Sequence, residues 1–304
     1  MSSHILVTGA SGRAGTEMIR QLAAAGASVR GAVHYPDHDA ESRVGRVDFV
    51  EVDIDRPDTL DTAFRGIDEA VLITPEEPEM VVQTRNLVEA AERAGVGHLV
   101  RVSFLHAGHA GGPLLDWHRE AEAVVRESVI PSTILRPNSY MQNFLTMYGP
   151  SIFVRGAFFT PMGGGRISYI DARDVADAAV EVLMREGRDG SESGGSGRGD
   201  RIYSLTGPRP LPHDEIAEIL TRAAGQPIRY VDVGEDDACM ALRRRGASEQ
   251  LVEALCGLWM AMRHDEFATT AGDFEELTGR PPRTFEDFVR EHAAELRVSP
   301  TARA

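Results

Sequence analysis

Residues 5–19 read I-L-V-T-G-A-S-G-R-A-G-T-E-M-I, from Ile5 to Ile19, and this stretch decides the fold. The short apolar run Ile5-Leu6-Val7 suits a buried parallel strand. Gly9, Gly12 and Gly15 follow, and apolar residues at Met18, Ile19 and Leu22 then recur with helical spacing. The triplet is G-x-x-G-x-x-G rather than G-x-G-x-x-G, but its physics is the same. One glycine permits a sharp turn, one lets the main chain approach a pyrophosphate, and one lets the helix lie close to the strand. The free N–H groups at the helix start and the positive end of its dipole complete an anion site. A glycine triplet alone also fits a plain tight turn. Its place between a strand and a helix is what makes a dinucleotide site the expected reading.

Working outward, strands are expected at 28–33, 47–52, 70–73, 98–103 and 132–135, with helices at 16–25, 58–64, 80–94 and 115–127 between them. Such regular alternation predicts a Rossmann-like, doubly wound parallel sheet with right-handed crossovers, an α/β fold. The alternation breaks after Asn138. An aromatic- and Met-rich segment follows, containing Phe144, Met147, Tyr148, Phe153, Phe158, Phe159 and Met162. Later come a helix at 174–186, a flexible Gly/Ser-rich loop at 187–200, a strand at 202–205, a helix at 213–224, a strand at 228–233 and a helical tail. Residues 1–137 are therefore expected to form the dinucleotide-binding domain. Residues 138–304 would form a smaller substrate lobe, with about 166–206 returning to the first domain.

Length and composition narrow the function. The 304 residues can bury a sizeable core, and a net charge of −15 argues against nucleic acid, whose phosphates need a basic face. No apolar run is long enough to cross a membrane, and Ile5-Leu6-Val7 is too short for the core of a signal peptide. Cys239 and Cys256 show neither metal-ligand spacing nor a disulfide framework, which fits a reducing cytoplasm. No basic position is a lysine: all 32 Lys/Arg positions are arginine.

Several blocks, in order, resemble the NmrA-like atypical short-chain dehydrogenase/reductases. They are T-G-A-S-G-R-A-G at 8–15, Asp53-Ile54, N-L-V-E-A-A at 86–91, Val102-Ser103, T-I-L-R-P-N at 133–138 and Met141-Gln142-Asn143. Y-I-D-A-R-D-V-A at 169–176, Y-S-L-T-G-P at 203–208 and L-T-G-R-P-P-R at 277–283 complete the series. The resemblance implies NAD(P)(H) binding and a smaller lobe forming the substrate cleft. It also implies individual contacts. Gly9, Ser11, Gly12, Arg13 and Ala14 would hold the pyrophosphate, and His34 would flank the adenosine ribose. Asp53 and Ile54 would border the adenine, Thr74 and Pro75 the nicotinamide ribose, and Pro137 the nicotinamide ring. No acid stands where an NAD site holds its ribose-binding carboxylate, since Asp37 comes only after Pro36. With Arg13, His34 and Arg43 nearby, NADP(H) is the expected preference, with NAD(H) possible.

Ordinary short-chain dehydrogenases resemble one another in a Tyr-x-x-x-Lys pair, which a chain without lysine cannot have. His118 is the first proton-donor candidate, because the family carries His or Lys at the matching place. It could equally pair with Glu122 one turn on. Ser103 matches a serine that orients a substrate oxygen in related enzymes, or serves only to cap a strand end. Tyr140 stands as a second proton donor or as core. His106 and His109 lack a third metal ligand, so no metal is expected. The Met and aromatic residues, joined by Trp259, Met260 and Met262, suit a bulky apolar substrate. The expected function is NADP(H)-dependent hydride transfer to a bulky apolar carbonyl or quinone-like substrate, by a monomer or homodimer. The alternative is a non-catalytic NAD(P)-binding redox sensor. An epimerase or dehydratase is disfavoured by the missing pair.

Overall fold

The computed structural model describes residues 3–34, 47–107, 112–185 and 201–297. Asp37, Arg43, His109, the expected loop at 187–200 and the tail from Val298 lie outside the described residues.

Six strands alternate with helices along the first half of the chain. They are β1 (His4–Val7), β2 (Ser28–Val33), β3 (Val47–Glu51), β4 (Glu69–Leu72), β5 (His98–Val102) and β6 (Ser132–Pro137). The chain then leaves the sheet to form β7 (Ala157–Thr160) and β8 (Arg166–Ile167), and returns as β9 (Arg201–Leu205). The resulting seven-stranded sheet has the order β3-β2-β1-β4-β5-β6-β9, and every pairing in it is parallel. This is the Rossmann-like α/β fold that the alternation predicts. β1 shows why its strands read as continuous apolar runs. Ile5 and Val7 pack in one core and Leu6 in another on the opposite face, so past the exposed His4 both faces of the strand are covered.

The helices cover both faces. On one, α1 (Arg13–Ala24) packs against α7 (Ala172–Arg185), which follows the short α5 (Asn143–Thr146) and α6 (Gly149–Arg155) in the chain. On the other lie α2 (Pro57–Phe64), α3 (Met80–Ala94) and α4 (Pro113–Glu127). α3 stops where the sequence says it should. Gly95 takes the left-handed conformation at φ 74° that closes a helix at low cost.

The remaining elements build a third core beyond the carboxyl end of β6. β10 (Leu211–Pro212) pairs antiparallel with β8, and β11 (Arg229–Asp232) pairs parallel with β7. α8 (His213–Ala224), α9 (Glu235–Arg244), α10 (Glu249–Arg263) and α12 (Phe285–Glu291) complete it, while α11 (Asp273–Thr278) packs back on α7 and β9. Of the apolar segment singled out in the sequence, Phe144, Phe158 and Met162 are buried here, whereas Phe153 and Phe159 are exposed. The L-T-G-R-P-P-R block acts as a clamp on α7. Asp174, fully buried, accepts the Arg283 N–H at 2.7 Å and is gripped by the guanidinium groups of Arg280 and Arg283.

One expectation is corrected. Cys239 and Cys256 are joined in a disulfide, with Cα atoms 6.2 Å apart. Seventeen residues separate them in sequence, yet α9 and α10 form a hairpin that sets the two side chains face to face. Spacing in the sequence carried no sign of that pairing.

Candidate functional site

Two cavities open along the carboxyl edge of the sheet and meet at Gly12, Ile73 and Thr74, which line both. The first has a volume of about 500 Å³. Gly9, Ser11, His34, Asp53, Ile54 and Pro75 all line it, so the sequence-expected contacts converge there from the ends of β1, β2, β3 and β4. Thr8 ties the ends of β1 and β4 together, its Oγ1 donating to the Ile73 carbonyl and accepting the Ile73 N–H, both at 2.8 Å. Asn86 donates to the Ile54 carbonyl at 2.9 Å and fixes the turn after β3.

The glycine loop is shaped for close approach. Gly9 sits at φ 59°, a conformation that favours glycine. A Cβ on Gly15 would lie 2.2 Å from the Gly9 carbonyl oxygen, so only glycine lets α1 start this close to β1. Gly12 is the N-cap of α1, has no side chain to satisfy the first-turn N–H groups, and no acid stands in that turn. Those N–H groups are an open anion site. Gln83, at 2% exposure, adds a second mark of fit. Its amide nitrogen donates to Asp55 and Glu77, and its buried carbonyl oxygen has no partner. A fixed acceptor in this cavity matches the amino group of an adenine. The residues present thus fit a dinucleotide, with pyrophosphate at the glycine loop and the base beyond it.

The second cavity, about 350 Å³, lies between the sheet and the lobe. Its apolar wall comes from Met147, Tyr148 and Met162, and from Leu258, Trp259 and Met262 on α10. Its polar groups include Ser103, His118, Tyr140, Asn143 and Glu76, with Arg13 also on its lining. The three candidate catalytic residues therefore come together, from the end of β5, from α4 and from the segment after β6.

Their chemistry differs from the expected one. Glu122 does not pair with His118. It accepts the Ser103 hydroxyl at 2.5 Å and is held in a fork by Arg136, at 2.9 and 2.6 Å. A two-pronged guanidinium bond outcompetes a neutral imidazole for a carboxylate. Ser103 consequently has its proton engaged and presents lone pairs. His118, at 4% exposure, stacks on Phe104 and has no hydrogen-bond partner on either ring nitrogen. Burial pushes its imidazole down to about 3, with the Arg101 guanidinium adding to the shift. That shift favours the neutral imidazole over the imidazolium. The Tyr140 phenol is raised above its ordinary value by burial, with Glu76 adding to the shift and Arg13 opposing it. Tyr169, also on the lining, is engaged with His213 Nε2 at 2.9 Å.

Three expected cofactor residues lie outside the first cavity. Arg13 and Ala14 line the second cavity, and Arg13 Nη1 donates to Thr146 of α5 at 3.4 Å. Pro137 is buried at the end of β6, lines neither cavity, and offers its carbonyl to Leu105. Sequence reasoning missed Gln83, Glu76 and Arg101. Arg101 interrupts the apolar strand H-L-V-R-V, which was the available signal. It is 1% exposed and donates to the Leu72 carbonyl and to Thr74 Oγ1. Among the described residues no group of three or more His, Cys, Asp or Glu could hold a metal ion. No helix among them is long and apolar enough to cross a membrane.

Residues 9–186 match the family model described as NAD(P)H-binding. The chain belongs to that family, in its NmrA-like branch of atypical short-chain dehydrogenase/reductases, and is an NAD(P)H-dependent reductase. It is 34% identical over 291 residues to the NAD(P)H azoreductase of Xenophilus azovorans, covering 95% of this chain and 98% of that one. The NADPH complex of an NADPH-dependent quinone oxidoreductase from Escherichia coli superposes with a TM-score of 0.77. The identity is 27%, over 94% of this chain and 99% of that one. The NADP(H) complex of Citrobacter sp. triphenylmethane reductase gives a TM-score of 0.76 at 26% identity, over 94% and 99% of the two chains.

Proposed function

We propose that the protein transfers a hydride from NADPH to a bulky apolar acceptor, a quinone-like compound or an aromatic or polycyclic ketone. The observation that carries this reading is the junction of the two cavities. A glycine-built crevice fitted to a dinucleotide opens at Gly12 and Thr74 onto an apolar chamber in which His118 has both ring nitrogens unpartnered. A buried polar side chain without a partner is costly, and a ligand oxygen or nitrogen bonding to it removes that cost. Azo compounds and triphenylmethane dyes, named for two of the similar proteins, are extended aromatic acceptors of the same general shape.

When bound, the dinucleotide supplies the hydride. The protein's own residues do the rest. Gly9, Ser11 and Gly12 hold the pyrophosphate, His34, Asp53 and Ile54 the adenosine, and Thr74 and Pro75 the second ribose. Met147, Trp259 and Met262 exclude water and press the flat acceptor toward the crevice. His118 bonds the acceptor's heteroatom as a neutral group, and Ser103, oriented by Glu122, accepts a hydrogen bond from substrate or carboxamide. Tyr140 supplies a further hydroxyl on the opposite side.

A spectrophotometric screen of NADPH oxidation against quinones, polycyclic ketones and azo dyes tests the reading. Turnover with members of these sets and none with small polar carbonyls is expected. Tight NADPH binding with no turnover on any acceptor would return the protein to the redox-sensor reading.

A further inference from the structure

Hydride transfer leaves an electron pair on the acceptor's heteroatom, and that atom must receive a proton. The residues lining the second cavity can be compared as donors. Ser103 has its proton on Glu122, a bond fixed by Arg136. His118 carries no extra proton in the neutral range. The phenols of Tyr140, Tyr148 and Tyr169 are all raised above their ordinary value by burial, which makes them weaker acids. None of these groups matches the pH at which a general acid works best.

One carboxyl lines this cavity, and it is Glu76, directly after Thr74-Pro75 at the carboxyl end of β4. Among the described residues Glu76 makes no hydrogen bond or ion pair, whereas its neighbour Glu77 lines the other cavity and accepts from Gln83. Charged and titratable groups face it from each surrounding element: Arg13 at the start of α1, Arg101 on β5, His118 on α4 and Tyr140 after β6. The enclosing cleft raises its carboxyl above the usual range, while Arg13 and Arg101 pull the other way. Solvent still reaches the side chain in the open cleft.

We propose that Glu76 is the proton donor of the reductase, delivering its carboxyl proton to the acceptor's heteroatom as the hydride reaches the neighbouring atom. The inference rests on the reductase reading above. The step balances. A new C–H or N–H bond, or for a quinone an O–H bond, forms from the hydride, and an O–H or N–H bond forms at the heteroatom that takes the proton as the Glu76 O–H bond breaks. The acceptor is reduced by two electrons, the dinucleotide is oxidised by two, and Glu76 is left as a carboxylate. Arg13 and Arg101 stabilise that carboxylate. Because Glu76 is exposed, bulk water can reload it after each turnover, which the buried Ser103 and His118 do not permit.

The test compares the unaltered protein with Glu76→Gln, a change of similar size at an exposed position that leaves the fold intact. Glu76→Gln should lower kcat by roughly 10²–10⁴-fold, the usual range for general acid catalysis. NADPH affinity should stay within about threefold, a shift of less than 1 kcal/mol. In the unaltered protein kcat/KM should fall as pH rises through the Glu76 pKa, since the acid must be protonated, and this limb should vanish in the variant. Independently of turnover, carboxyl-carbon NMR of the cofactor-free protein should show one glutamate titrating above the usual range and absent from Glu76→Gln. A variant that keeps more than about a tenth of kcat and the same pH limb, or a Glu76 that titrates in the ordinary range, overturns the proposal. An unaltered protein that binds NADPH but reduces no acceptor overturns the reductase reading first, and this proposal with it.

Discussion

The two cavities of this protein share Gly12, Ile73 and Thr74 and are otherwise built on opposite plans. The dinucleotide crevice is made largely of main chain: a positive-φ glycine, a helix start without a capping side chain, and strand ends tied by Thr8 and Asn86. The acceptor cavity is made of side chains, drawn from α1, β4, β5, α4, the segment after β6, and α10. A main-chain site works for any ligand with the same phosphate geometry, and it changes little while the loop keeps its shape. A side-chain site is redefined by a single substitution.

Breaking the main-chain half should have the largest effect, and two glycines three residues apart should break it differently. A Cβ on Gly12 meets only the Gly9 carbonyl oxygen, at 3.1 Å, and Gly12 is exposed. Gly12→Val should therefore fold while its side chain fills the phosphate's approach. Calorimetry should show dinucleotide affinity on the order of 100-fold weaker, a loss of about 2.7 kcal/mol. Gly15→Ala places its Cβ 2.2 Å from the same oxygen, inside the α1–β1 contact. It should cost stability as well, about 1–3 kcal/mol or more, seen in thermal unfolding of the cofactor-free protein. A Gly12→Val protein that folds and retains full NADPH affinity would refute the placement of the pyrophosphate.

The same division explains what could be read in advance. Parallel strands covered on both faces appear as apolar runs, and Gly26 and Gly95, both at positive φ, mark helix ends, so the alternation up to β6 was legible. The glycine loop was legible because three positions specify it locally. The lobe was not. β7 and β11 pair across some seventy residues, and the disulfide forms only because α9 turns back on α10. Within the acceptor cavity, helical spacing pointed His118 at Glu122, but spacing is blind to competition. Arg136 and Ser103 arrive from neighbouring strands and take that carboxylate. Apolar residues looked alike whether they ended as core, as with Phe144 and Phe158, or as cleft wall, as with Met147 and Trp259. Both places demand the same side chains. Glu76 sat unnoticed because a charged residue in a loop after a strand is ordinary in sequence.

Altering the side-chain half should sharpen the contrast at a smaller scale. His118→Phe keeps a ring against Phe104, 5.7 Å away between centroids, and removes both nitrogens. A neutral imidazole contributes one hydrogen bond to the acceptor, so kcat should fall by roughly tenfold, about 1.4 kcal/mol. Dinucleotide affinity should be unchanged. The pH profile should also keep its shape, because burial pushes the His118 imidazole down to about 3 and so favours its neutral form. A profile that loses a limb near neutrality in His118→Phe would show that the imidazole does carry the proton. A rate within twofold of the unaltered protein would remove His118 from the acceptor's contacts.

The smallest effect concerns the one place where the main-chain crevice must make a side-chain choice, the 2′ position of the adenosine ribose. An NAD site places a carboxylate at the end of the second strand, and here that place holds His34. Arg13, the other described basic residue expected to favour a 2′-phosphate, reaches instead toward Thr146 and the acceptor cavity. Asp53 and Asp55 line the same crevice and oppose a phosphate. What remains is an exposed histidine working against the half-buried Asp53 and the exposed Asp55, so NADPH should bind more tightly than NADH by only about three- to tenfold, roughly 0.7–1.4 kcal/mol. Because the contacts face water, the preference should shrink as salt is raised toward 1 M, where the screening length falls to about 3 Å. His34→Ala should shrink it too while leaving NADH affinity unchanged. Calorimetric titration of both dinucleotides at low and high salt makes the comparison. Equal affinities at low salt, or a preference for NADH, would show that the histidine does not discriminate and that the crevice binds both dinucleotides through its main chain alone.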